Sequence, residues 1–290
     1  MCLAILVAGC TMTACGGSAS GSGGRLPVVA AENFYGDIAQ QIGGRFVEVT
    51  SILSDPNADP HLFEPGTANA AAVADARVVI DNGVGYDSFM DRLMSAAPSK
   101  DRRVVTIADV VGISGAGTNP HVWYDLPHVK QMAGAIARAL EAADPDHRSA
   151  FGDGLARFDR SLGPLLRSLD DLRARSGGAP VAYTEPVPGY LLEAAGLVVR
   201  TPPGFSRAIE EGNDPSPQDV AAMEALLRGG QVRVLLYNSQ AASPITDRMQ
   251  QLAAQNGIPV VPVTETLPPG LSFQQWQLDQ VRALAKALGG

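Results

Sequence analysis

Short β-branched runs alternate along this chain with longer stretches in which apolar residues recur every three or four positions. Runs at residues 27–31, 47–53, 77–81 and 103–107 are predicted as buried strands, and a second series follows at 180–184, 197–200, 232–237 and 258–263. Strands that alternate with helices imply a parallel sheet with helices on its faces, so the pattern predicts an α/β protein with two lobes of comparable size. Between the two series, Asp144-Pro145 makes a helix start, and Phe151, Leu155, Phe158, Leu162, Leu165, Leu169 and Leu172 recur at alternating spacings of four and three. One long helix joining the lobes is expected, ended by Gly177-Gly178 and bent at Pro164, whose ring removes a backbone hydrogen bond. The predicted divisions are a first lobe at 26–143, a linking helix at 144–178 and a second lobe at 179–290.

Composition narrows the class. With 46% hydrophobic and 18% charged residues among 290, the chain can bury full cores and is not disordered overall. A net charge of −8, with lysines and arginines scattered, argues against nucleic acid as a partner. Cys2, Cys10 and Cys15 are the only cysteines, so residues beyond 15 can hold neither a disulfide nor a thiolate metal site. Residues 1–15 read as an export signal, and 16–25, nearly all Gly, Ser and Ala at first, as a flexible tether. Val7-Ala8-Gly9-Cys10 fits a bacterial lipobox, and Thr13-Ala14-Cys15-Gly16-Gly17-Ser18 resembles the form seen in actinobacterial lipoproteins. Cys15, where the tether begins, is the expected lipid attachment point, with Cys10 the alternative. No other stretch approaches the ~20 apolar residues of a membrane span, so the expected protein is anchored to a membrane and does not cross it.

The candidate chemistry lies in two histidine phrases, Asp59-Pro60-His61-Leu62-Phe63-Glu64-Pro65 and Asn119-Pro120-His121-Val122-Trp123-Tyr124-Asp125. Each places an imidazole straight after a proline, whose fixed φ leaves the turn few conformations. The chain has four histidines; His128 and His147 lie in helical patterns beside polar residues and are expected at the surface. With thiolates absent, carboxylates should complete a metal site. Glu185 and Glu265 directly follow strong strand patterns in the second lobe, where open α/β sheets bind ligands. Asn33, Glu64 and Asp125 are candidate partners for the imidazole N–H groups, and turn capping is an equal alternative for each.

The histidine phrases resemble the zinc/manganese family of solute-binding proteins from bacterial ABC importers. Ala31-Glu32-Asn33-Phe34-Tyr35-Gly36, Asp81-Asn82-Gly83, Tyr237-Asn238-Ser239-Gln240 and Val263-Thr264-Glu265-Thr266-Leu267-Pro268 extend the likeness in order along the chain. The resemblance implies two Rossmann-like lobes joined by one rigid helix, with a metal in the interlobe cleft on His61, His121, Glu185 and Glu265. It further implies a monomeric, lipid-anchored receptor at the extracytoplasmic face of the cell membrane. That receptor would capture Mn²⁺ or Zn²⁺ and deliver it to a permease driven by a cytoplasmic ATPase. Glu185 looks like the choice of manganese-type members, Glu265 replaces the usual aspartate, and the histidine-rich loop of many zinc binders has no counterpart at 114–118.

Two other readings remain at this level. One is a surface adhesin or scaffold lipoprotein with a structural metal. The other is a metal-dependent hydrolase in which Glu185 and Glu265 act as acid and base. The hydrolase has little support: there is no His-Glu-x-x-His, Gly112-Ile113-Ser114-Gly115-Ala116 misses a nucleophile elbow, and Gly83-Val84-Gly85 lacks the third glycine of a dinucleotide loop.

Overall fold

The structure is a computed structural model that describes residues 24–56, 60–115 and 117–289. The signal segment with Cys10 and Cys15, and most of the tether, lie outside those residues. Helices α1 (Asn33–Gly43), α2 (Thr67–Asp75), α3 (Phe89–Ala96), α4 (Ile107–Val110) and α5 (Val129–Ala143) alternate with strands β1 (Leu26–Glu32), β2 (Val47–Leu53), β3 (Val78–Asp81) and β4 (Arg103–Thr106). The second half carries α6 (Arg148–Ser161) and α7 (Gly163–Ser176), then α8 (Gly189–Ala194), α9 (Pro203–Glu210), α10 (Pro217–Arg228), α11 (Pro244–Gln255) and α12 (Phe273–Ala287). Its strands are β5 (Pro180–Tyr183), β6 (Val198–Val199), β7 (Leu235–Asn238) and β8 (Val260–Val263).

Among the described residues all strands pair in parallel, in two four-stranded sheets ordered β2-β1-β3-β4 and β6-β5-β7-β8. The two orders are equivalent. In each sheet the chain leaves the first strand to one side and later returns to the other, creating a switch point between β1 and β3 and another between β5 and β7. Crevices at the carboxyl ends of such strands are where open α/β sheets bind ligands.

The predicted linking helix is interrupted. It enters through a 3₁₀ turn at Pro145–His147 and divides at Leu162 into α6 and α7. The cause is Pro164, which has no N–H to give and whose ring crowds the carbonyl four residues back. Leu162 itself stays in the right-handed helical region, and Leu166 N–H still reaches its carbonyl at 3.0 Å. Each segment serves one lobe: α6 packs on α1 and α5, and α7 packs on α12. Gly154 of α6 has no room for a side chain, because an added Cβ would lie 2.0 Å from the Ile42 carbonyl oxygen of α1.

The lobes share one continuous core. Phe34 on α1 stacks on Trp123 with centroids 4.6 Å apart, and Trp276 on α12 lies 5.9 Å from Phe34 and 5.8 Å from Tyr124. These rings are fully buried, and truncating one of them costs about 3–5 kcal/mol. Polar bonds continue the seam: Asn33 exchanges two 2.9 Å hydrogen bonds with the Leu267 backbone, and Asp37 accepts from Phe273 N–H at 2.8 Å. The carboxyl ends of both sheets are thereby held facing each other.

Candidate metal centre

His121 belongs to the first lobe, in the segment between α4 and α5, and is completely buried. Its orientation is set by Asn119. The Asn119 Oδ1 accepts from the His121 backbone N–H at 3.1 Å and from ring Nδ1 at 2.7 Å. An amide oxygen only accepts, so Nδ1 carries the hydrogen and Nε2 is directed away from it. The Asn119 amide is fixed in turn, because its Nδ2 donates to the Pro186 carbonyl of the second lobe at 2.8 Å.

Glu185 and Glu265 follow β5 and β8 by two residues each and are buried, at 1% and 0% exposure. His121 Nε2 lies 3.2 Å from Glu265 Oε2, which also accepts from the Tyr86 hydroxyl at 2.9 Å. Asn238, the last residue of β7, donates its amide to Glu265 Oε1 at 2.7 Å and also to Glu185 Oε2. One amide therefore links the two carboxylates. Gln240 holds the loop that carries Glu265, its Oε1 accepting from Glu265 N–H at 2.6 Å and Thr266 N–H at 3.1 Å. Its Nε2 reaches across to the Pro56 carbonyl, at the start of the loop that carries His61. The His61 backbone forms part of a 3₁₀ turn at Pro60–Leu62, and its side chain lies outside the described atoms.

The imidazole and two carboxylates meet through protein hydrogen bonds. Among the described residues, no three His, Cys, Asp or Glu side chains close into a metal shell. Burial disfavours the His121 imidazolium, but the Glu210 and Glu265 carboxylates outweigh burial and hold its pKa above the ordinary 6.5. Burial first, and then Glu265, push the Tyr86 hydroxyl well above 10, which keeps it a neutral donor. The turn that delivers Tyr86 is Gly83-Val84-Gly85, with φ of 82°, 47° and 86°. A β-branched residue at positive φ is unusual and recurs where function constrains the backbone.

Two expected imidazole partners are engaged elsewhere, and the third, Glu64, shares the loop of His61, whose side chain lies outside the described atoms. Asp125 accepts from His128 Nδ1 at 2.7 Å, Asn33 is committed to the Leu267 backbone, and Glu64 is exposed. The role at His121 falls to Asn119, two residues back, because its short side chain closes the turn that Pro120 continues. His128 and His147 are half-exposed and pair with Asp125 and Asp144. Asn119, Tyr86, Asn238 and Gln240 were not singled out as site residues from sequence. The signal available was their place in polar phrases just before a Pro-His or at the end of a strand.

A site built from buried nitrogen and oxygen donors of both lobes agrees with a match along almost the whole chain. Residues 28–287 fit the family model described as zinc-uptake complex component A, periplasmic. The chain belongs to this zinc-uptake component family. Among its curated relatives, the manganese-binding lipoprotein MntA of Halalkalibacterium halodurans is 31% identical over 59% of this chain and 57% of its own length. The metal ABC transporter substrate-binding lipoprotein FimA of Streptococcus parasanguinis is 25% identical over 91% of both chains. The chain spans about half the length of several curated relatives it matches, including the Bacillus subtilis manganese-binding lipoprotein at 54%. The solute-binding protein FpvC of Pseudomonas aeruginosa, solved in complex with Mn²⁺, shares the fold with a TM-score of 0.76 at 19% identity, over 92% of this chain and 99% of that one. The zinc-uptake component family is thus represented here by two parallel-sheet lobes with strand ends opposed.

Proposed function

We propose that this protein is the metal-capturing component of an ABC importer, taking up Mn²⁺ or Zn²⁺ as cargo and delivering it to a membrane permease with a cytoplasmic ATPase. The observation that carries the reading is the convergence of His121 from one lobe with Glu185 and Glu265 from the other in a buried cleft. His61 completes the ligand set, supported by the bond that draws the base of its loop to Gln240. Two neutral imidazoles and two carboxylates match the charge of a dication, so the closed site buries no net charge. Asn119 keeps the His121 hydrogen on Nδ1 and leaves Nε2 as the metal-facing nitrogen. Oxygen donors suit Mn²⁺, while Zn²⁺ binds most such sites more tightly by the Irving–Williams order. The protein performs no chemistry on its cargo. It acts as a monomer at the extracytoplasmic face, tethered by a lipid on Cys15; among the described residues no helix is long and apolar enough to cross a membrane.

Calorimetric titration with Mn²⁺ and Zn²⁺ tests this. Wild type should bind with micromolar affinity or better, about −8 kcal/mol. His121→Ala should lose on the order of 100-fold or more while staying folded by circular dichroism. Because the folded protein raises the His121 pKa, protons compete for Nε2 from above pH 6.5 downward, and wild-type affinity should fall steadily as pH is lowered through that range. Affinity flat between about pH 7.5 and 5 would contradict imidazole ligation.

A further inference from the structure

A third carboxylate stands against the same imidazole. Glu210 Oε2 lies 3.7 Å from His121 Nε2, on the opposite account from Glu265 in one respect: its side chain keeps 16% exposure, whereas those of His121 and Glu265 keep none. Glu210 also lines a cavity of about 400 Å³ together with Asn119, Pro120, Tyr183, Arg207 and Glu211. The cavity therefore touches solvent on one side and, through Glu210 and Asn119, the sealed imidazole on the other. Glu210 is the last residue of α9, and Glu211 caps it. Anions at a helix C-terminus oppose the helix dipole, so local helix stability does not favour an acid there.

Glu185 and Glu265 already match the charge of a dication, which leaves Glu210 unnecessary for neutrality in the closed site. Its place is between bulk water and the buried nitrogen. We infer that Glu210 is an entry ligand, which receives the divalent cation at the cavity and passes it to His121. This rests on the capture reading above. Acid-lined clefts raise the association rate of cations by roughly 10- to 1000-fold, but a generic field would be supplied equally by Glu211, whereas a ligand must be Glu210 itself.

Stopped-flow mixing with Mn²⁺ separates these, using fluorescence of Trp123, whose ring lies 5.1 Å from that of His121. Glu210→Gln should slow Mn²⁺ association about tenfold and slow chelator-triggered release in parallel, since entry and exit use the same step. Glu210→Asp, which keeps the carboxylate, should recover most of the rate, and Glu211→Gln should stay within about twofold of wild type. Association of Glu210→Gln at the wild-type rate would overturn the inference, as would an equal slowing in Glu211→Gln. Wild-type protein that binds neither Mn²⁺ nor Zn²⁺ would instead remove the capture reading itself.

Discussion

The two lobes have the same strand order and opposite uses for the acids at their strand ends. In the second lobe, Glu185 and Glu265 reach past the sheet into the cleft and meet His121 and Asn238. In the first lobe, Glu32 and Asp81 end β1 and β3, and Asp87 lies close by, all buried. Both Glu32 carboxylate oxygens lack a hydrogen-bond partner among the described residues, while Asp87 accepts from the Asn82 and Gly83 backbone N–H groups at 2.6 and 3.0 Å. Burial, reinforced by Asp87 and Asp81, holds Glu32 well above the usual carboxylate range. Burial and Asp87 push Asp81 up to about 7. Of these acids, Asp87 holds Asn82, whose Nδ2 donates to the Pro120 carbonyl at 2.8 Å beside His121. Equivalent topology thus brings two strand-end acids together with His121 and Asn238 in one lobe's case and clusters three buried acids within the other lobe.

Glu265→Ala should reduce Mn²⁺ affinity on the order of 100-fold, about 2.7 kcal/mol, while Asp81→Asn leaves it near wild type in the same titration. Equal losses would mean that the first-lobe acids also serve the cation.

Asn119→Ala comes next, with a loss of roughly 10- to 100-fold, because His121 then loses the acceptor that fixes its tautomer. Calorimetry reads this, and an unchanged affinity would show that Pro120 alone orients the ring.

The smallest effect concerns stability. A carboxylic acid whose folded pKa is raised favours the folded state below its unfolded pKa, near 3.9, and that advantage is lost as pH climbs through about 7. Asp81→Asn should therefore be more stable than wild type at pH 8, on the order of 2 kcal/mol, with the gap closing toward pH 4. Chemical denaturation at both pH values checks this, and a gap independent of pH would place the Asp81 carboxylate in an ordinary ionised state.

The fold was largely legible because periodicity reports burial, and burial defines these strands. Predicted and observed strands coincide closely, the widest gap being β7, which starts at Leu235 although the apolar run begins at Val232. The linking helix was legible in its span and in the bend at Pro164, but its division at Leu162 was not, because apolar spacing continues through Leu162 and Leu165 whether or not Pro164 permits a continuous hydrogen-bond ladder. At the site, strand-end position drew attention to Glu185 and Glu265, yet the same rule applied to Glu32 and Asp81 would have selected acids that do not meet His121. What separates the pairs is whether the side chain points across the cleft or into its own lobe, and one-dimensional spacing carries no such direction. The contacts of Asn238 and Glu210 were not legible for a related reason, since they join segments remote in the chain.

Anomalous diffraction from crystals of the Mn²⁺-loaded protein would locate the bound cation. One manganese peak is expected in the interlobe cleft, about 2.0–2.3 Å from His121 Nε2 and from oxygens of Glu185 and Glu265, with His61 as a further ligand. A peak that lies elsewhere, or one touched by residues of a single lobe only, would contradict capture between the lobes.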